Sequence, residues 1–188
     1  MKFIKLTLLI ILFSSCSEKF TTLDEYLNLP VKFAKQKISY PTKDFSITIP
    51  KNWFWKVEQY DDKQILLGID AGQTDETTGF TKIISVQKYK SFKNNDDLKT
   101  EFESVKQLTE KNSSEKIVES GKSKSTKFES YFIHVKSDNK KSIETISLLL
   151  KSKENKVFYM LNATCQIEDN LETNMSMMIK CLNSFEKN

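Results

Sequence analysis

This 188-residue sequence predicts an α+β fold, an antiparallel β-sheet packed with two main helices. Three observations carry that expectation. Short runs of alternating apolar and polar residues recur between Phe45 and Cys165, the period of half-buried strands. Two longer segments, 94–111 and 168–185, change to the 3.6-residue period of amphipathic helices. The links between runs are short and polar, and with only four glycines present, Asn, Asp, Ser and Lys must make most of the turns.

The first 20 residues, MKFIKLTLLIILFSSCSEKF, stand apart from that pattern. Lys2 and Lys5 form a positive head, Leu6 to Phe13 is an apolar run, and FSSC places small residues before Cys16. This is the grammar of a secretory signal, and the run is too short to span a membrane as a helix. Ending in cysteine, with Phe13 where Leu, Val or Ile is usual, it resembles a bacterial lipoprotein signal. In such signals the cysteine becomes the lipid-modified, palmitate-bearing first residue. The expected organisation is therefore a signal peptide over 1–15, the lipidated Cys16 with a tether over 16–37, and one globular domain over 38–188. Several acyl chains on Cys16 would hold the protein firmly on a membrane, at about 0.8 kcal/mol per buried methylene.

Within the tether, TTLDEYLNLPVKFAKQK shows only weak periodicity and room for one short helical turn. In FSITI, Phe45, Ile47 and Ile49 alternate with Ser46 and Thr48, and Pro50 ends the pairing because it lacks an amide donor. WFWKVEQY reads as the second strand, QILLGIDA as the third and TKIISVQKY as the fourth, with the glycine-bounded loop AGQTDETTG between the last two. In the first helix Leu98, Phe102, Val105 and Thr109 share a face, with Asn94 or Asn95 as its cap. KIVES, KFESYFIHVK, SIETISLLLK and KVFYMLNATC supply further strands. The closing helix sets Leu171, Met175, Met178, Leu182 and Phe185 on one stripe. A domain of about 150 residues buries about 68–70% of its unfolded surface, enough for a core of its own.

Composition narrows the function. All 29 basic residues are lysines, and without Lys2 and Lys5 the remaining 27 face 25 acids, a net charge of +2 with the signs interspersed. With no arginine fork and no basic stripe, nucleic acid is not an expected partner. GxSxG, GxxxxGK and GxGxxG are all missing, so neither a nucleophile elbow nor a nucleotide loop is expected. The single histidine, His134, lies on the strand face opposite Tyr131, Ile133 and Val135, either exposed or hydrogen-bonded. Asp70, Asp75 and Glu76 do not follow EF-hand spacing. No metal, no cofactor and no catalytic residue is expected. Cys165 and Cys181 read as two buried free thiols. Cys181 would sit roughly 20 Å along the final helix at 1.5 Å per residue, whereas a disulfide needs Cα atoms within about 7 Å.

The order FSITIPKNW, then KIISVQKYKS with DDLKTEF, then VFYMLNATC with MMIKCLNSF, resembles the PsbP-like (Mog/PsbP/DcrB) superfamily over about Tyr40 to Phe185. Members read as a strand ending in proline, a tryptophan opening the next strand, and a last strand followed by a helix. The resemblance implies the same sheet-and-helix sandwich and binding to another protein, with no shared catalytic residue. Only the structural positions Pro50 and Trp53 carry over. Trp53 is expected to cap the core, with Phe54 and Trp55 both packed against a helix. Should an aromatic stay exposed, Trp55 and Tyr60 would anchor a partner, and the long loop holding Asp75 and Glu76 would be a second recognition element. The functional expectation is a membrane-anchored lipoprotein of the bacterial cell envelope, on the outer membrane and facing the periplasm. It would bind an unidentified envelope protein and catalyse nothing. The alternative is a carrier or chaperone for a lipid or apolar segment, which requires a sizeable pocket between the closing helix and the sheet.

Overall fold

The alternating runs become strands that sort into two antiparallel sheets. The computed structural model describes residues 20–74, 81–137, 142–167 and 170–188. In chain order the elements are α1 (Leu23–Asn28), β1 (Lys35–Ser39), β2 (Phe45–Pro50), β3 (Phe54–Glu58), β4 (Ile65–Thr74) and β5 (Thr81–Lys90). There follow α2 (Leu98–Glu110), β6 (Glu115–Ser123), β7 (Ser130–Ser137), β8 (Ile143–Lys151), β9 (Val157–Gln166), α3 (Leu171–Leu182) and β10 (Glu186–Lys187). The larger sheet has seven strands in the order β3-β4-β5-β9-β8-β7-β6, and the smaller has three in the order β1-β2-β10. The α+β architecture is as predicted and α1 fills the room for a short helical turn, while the smaller sheet and β10 are additions that the sequence pattern does not announce.

Alternation assigns each strand residue a side of the large sheet. Ile84 and Val86 of β5, Leu161, Ala163 and Cys165 of β9, and Ile146, Leu148 and Leu150 of β8 form the inner face. Over them lie the α3 stripe, with Met175, Met178, Ile179 and Leu182 fully buried, and Phe45, Ile47 and Ile49 of β2. Phe185 follows α3 and packs against Phe45 and Tyr159. The outer face carries a smaller cluster, Tyr89, Ile133, Val135, Leu149 and Phe158, covered by Leu98 and Phe102 of α2. Cys165 and Cys181 are free and buried, and burial pushes the Cys181 thiol up to about 12.

The boundary of the folded body lies earlier than the sequence pattern suggests. Instead of a tether running to residue 37, β1 begins at Lys35 and pairs with β2 from Lys35–Pro50 to Ser39–Ser46. Upstream of it α1 lies in the core. Leu23 and Tyr26, one helical turn apart, are buried, and Thr22 and Glu25 form a reciprocal capping box. A helix of six residues holds too few apolar positions to show a period, which is why this segment reads as a linker. At α2 the cap is Asp97, whose Oδ1 accepts from the Thr100 amide at 2.7 Å. Asn95 instead donates to Glu101 at 2.7 Å, and this buried carboxylate also accepts from Ser91 Oγ at 2.6 Å and the Phe92 amide at 3.0 Å.

Candidate binding surface

Strand β3 is short, lies at one edge of the large sheet and has little packed on either face. Phe54 is 49% exposed, Trp55 40% and Val57 38%, and Leu66 on neighbouring β4 is 40% exposed. Registers Trp55–Ala71 and Val57–Ile69 place Trp55 and Val57 on the inner side of the sheet, beyond the reach of α3. Phe54, Lys56 and Glu58 project from the outer side, across from Gly72, Asp70 and Gly68. The predicted burial of Phe54 and Trp55 against a helix does not occur, because α2 lies on β6, β7 and β8, at the other side of the sheet from β3. Trp53, one residue before the strand, is buried as expected at 6% exposure.

Tyr60 folds back over the outer face of β4. A Cβ added to Gly68 would stand 2.6 Å from its hydroxyl and 2.7 Å from the Val86 carbonyl oxygen, so glycine is what lets the ring lie there. Trp55 and Tyr60 therefore flank one edge from opposite faces and make no joint aromatic pad. Next to Tyr60, Asp70 accepts from Ser85 Oγ at 2.6 Å. Burial raises the Asp70 carboxyl above its usual value, the Ser85 bond opposes the shift, and nearby Glu58 adds to it. Asp75, Glu76 and Cys16 lie outside the described residues.

The outer face continues from this edge into a groove walled by Val105 and Thr109 of α2, of about 470 Å³. Its floor mixes Ile83, Ile133, Val135, Ile143 and Met160 with Ser85, Ser147, Thr145, Asn162 and Thr164, and the apolar side chains supply more of the open lining than the hydroxyls and amides. Thr145 and Thr164 bond across the strands at 3.2 Å. Between α3 and the sheet, where the lipid-carrier alternative requires a pocket, Met175, Met178, Ile179 and Leu182 are fully buried and pack into the core.

His134 is fully buried and hydrogen-bonded. Its Nε2–H donates to Glu144 Oε1 at 2.8 Å, and the Tyr26 hydroxyl donates to the same oxygen at 2.5 Å. Lys136 Nζ approaches the other Glu144 oxygen at 3.6 Å, and Glu119 lies 3.9 Å from His134 Nδ1. Burial pushes the Glu144 carboxyl up, but the His134 and Tyr26 bonds outweigh it and hold the group below its usual value. Burial and the Glu144 charge drive the Tyr26 hydroxyl well above the ordinary phenol range. The trio fastens α1 to β7 and β8. It holds no nucleophile, and the fully buried His134 is packed by Phe20, whose ring centre lies 5.9 Å from its own. Among the described residues no group of three or more His, Cys, Asp or Glu is placed to hold a metal ion, and no helix is long and apolar enough to cross a membrane.

An open-edged antiparallel sheet with helices on both faces and an exposed aromatic rim defines the class, an α+β sandwich. Its fold is PsbP/Mog1-like. The chain superposes on cyanobacterial PsbP (CyanoP) from Synechocystis sp. PCC 6803 with a TM-score of 0.52 and 10% identity, covering 84% of this chain and 94% of that one. For the Saccharomyces cerevisiae Ran-binding protein Mog1p the values are 0.51 and 9%, with 83% and 96% covered. For LpqN, involved in cell envelope biogenesis of Mycobacterium tuberculosis, they are 0.50 and 12%, with 86% and 94% covered. A crystal structure from Bacteroides thetaiotaomicron VPI-5482 matches at a TM-score of 0.49 and 12% identity, and this chain spans 49% of that protein. No protein-family model and no curated protein matches the sequence.

Proposed function

We propose that the protein is a bacterial envelope lipoprotein, anchored through an acylated Cys16, whose domain binds another protein and carries out no reaction. The anchor reading rests on the residues 1–16, and the binding reading on one observation, the open β3 edge. Four of its five residues are exposed, with Phe54 on one face and Trp55 and Val57 on the other. An unpaired strand edge invites pairing with a partner's extended segment, and flanking aromatics are common anchors at interfaces. The fold neighbours include one protein named for binding Ran and another for envelope biogenesis, which fits this reading. Facing the periplasm from the outer membrane is the orientation that SEKF, with its single acid after Cys16, supports.

The test is crosslinking capture from intact envelopes with the lipidated protein, repeated with Phe54→Ala/Trp55→Ala. One protein captured reproducibly by the native chain and lost with the double variant, whose thermal melt is unchanged, is the expected result. Capture that ignores the double variant sinks the edge as the binding site. Cys16→Ser should move the protein out of the membrane fraction; if it stays there, the anchor lies elsewhere.

A further inference from the structure

The early start of the folded body changes how the anchor would act. Thr21 Oγ1 donates to Glu172 at 3.1 Å, the Leu23 amide to Glu119 at 3.0 Å, and Phe20 packs on His134. The chain is thus fastened from residue 20, and only Ser17, Glu18 and Lys19 separate Cys16 from the body. Four Cα steps span at most about 14 Å, against about 70 Å for a link running to residue 37.

The point of attachment lies at a definite end of the molecule. Helices α1 and α3 run side by side, with Thr21 at the start of α3 and the Leu29 carbonyl accepting from Lys180 near its finish. The start of α3 follows β9, whose last residue, Gln166, pairs with Ile143 of β8, and Ile143 pairs with Ser137 of β7. Phe20, Ser137, Ser142 and Ile167 therefore gather at one end, and Ile167 is 38% exposed there. The opposite end carries the 152–156 turn, where the Ser91 amide bonds to the Lys156 carbonyl at 2.8 Å.

We infer that the end bearing Ser137, Ser142 and Ile167 lies against the bilayer that holds the Cys16 lipid, with the 152–156 turn pointing away. The short link sets this pose, which rests on the anchor reading above. The β3 edge then faces sideways, toward partners on or near the same membrane.

The experiment places a fluorophore on lipidated Ser142→Cys or Lys153→Cys protein in phosphatidylethanolamine–phosphatidylglycerol vesicles carrying a headgroup nitroxide. Both positions are exposed, whereas Cys165 and Cys181 are buried and should not label. Quenching several-fold stronger at 142 than at 153 is expected, and a long Gly/Ser insert after Ser17 should abolish the difference. Equal quenching in the native-length chain overturns the pose. A difference that survives the insert overturns the short link as its cause. Protein that fails to float with the vesicles removes the anchor reading itself, and the pose with it, in a separate measurement.

Discussion

Glu144 is the residue on which the N-terminal segment turns. It sits at a buried position of β8 and accepts from both His134 and Tyr26, so one carboxylate ties α1 to the sheet. Glu144→Ala strands two buried donors, a loss of about 2–6 kcal/mol at roughly 1–3 kcal/mol each. Urea unfolding should show that loss, and Glu144→Gln should recover part of it. The pH dependence follows from the depressed carboxyl. Its contribution is fully present above the ordinary glutamate value of 4.5 and fades as pH falls through the lower folded value, with His134, Tyr26, Lys136 and Glu119 as the facing groups. This cluster was half legible. The alternation placed His134 opposite Tyr131, Ile133 and Val135, yet Glu144 in SIETISLLLK looks like a solvent-facing glutamate until the β7–β8 register sets it beside His134. Phe54 and Trp55 were misleading for a related reason. A strand reveals which residues share a face, but whether a helix covers that face depends on where the helix lands.

At the scale of elements, β3 and β4 show how an edge is kept open and still ordered. Tyr60 closes over Gly68 and donates nothing to the β3 ladder; it shields the backbone of β4 while leaving β3 free on its outer side. Gly68→Ala would drive a methyl into the Val86 carbonyl and the Tyr60 hydroxyl, and overpacking of this kind costs about 1–3 kcal/mol. A lower melting temperature together with a more exposed Tyr60 is the expected outcome; an unchanged melt would show that the ring is not held there. The strand content of β2 through β9 and the apolar stripe of α3 could be read directly because each repeats its period several times. α1 was legible only as room for one helical turn and β10 not at all, since six and two residues are too few to display a period.

For the whole molecule, the decisive fact is that residues 20–37 belong to the body. A chain that starts at residue 38, where the sequence pattern sets the domain boundary, loses Leu23, Tyr26 and the first three of the five β1 residues that pair with β2. Two buried side chains of this kind are worth about 3–6 kcal/mol. That is a large share of a typical net stability of about 5–15 kcal/mol. The shortened chain should melt well below a chain that starts at residue 20, or aggregate, and calorimetry on the two will decide it. An equal melting temperature would mean that α1 is ornamental.

The small sheet joins Phe45 and Ser46 to Glu186 and Lys187, and Ser176 of α3 donates to the Tyr26 carbonyl 150 positions earlier in the chain. Such closures between distant segments form slowly, because the intervening loop must be drawn in before any contact rewards it. On the envelope reading proposed above, a chain that threads an export channel gains from that delay. Its front cannot lock shut before the rear has emerged, and the knot is tied only on the far side.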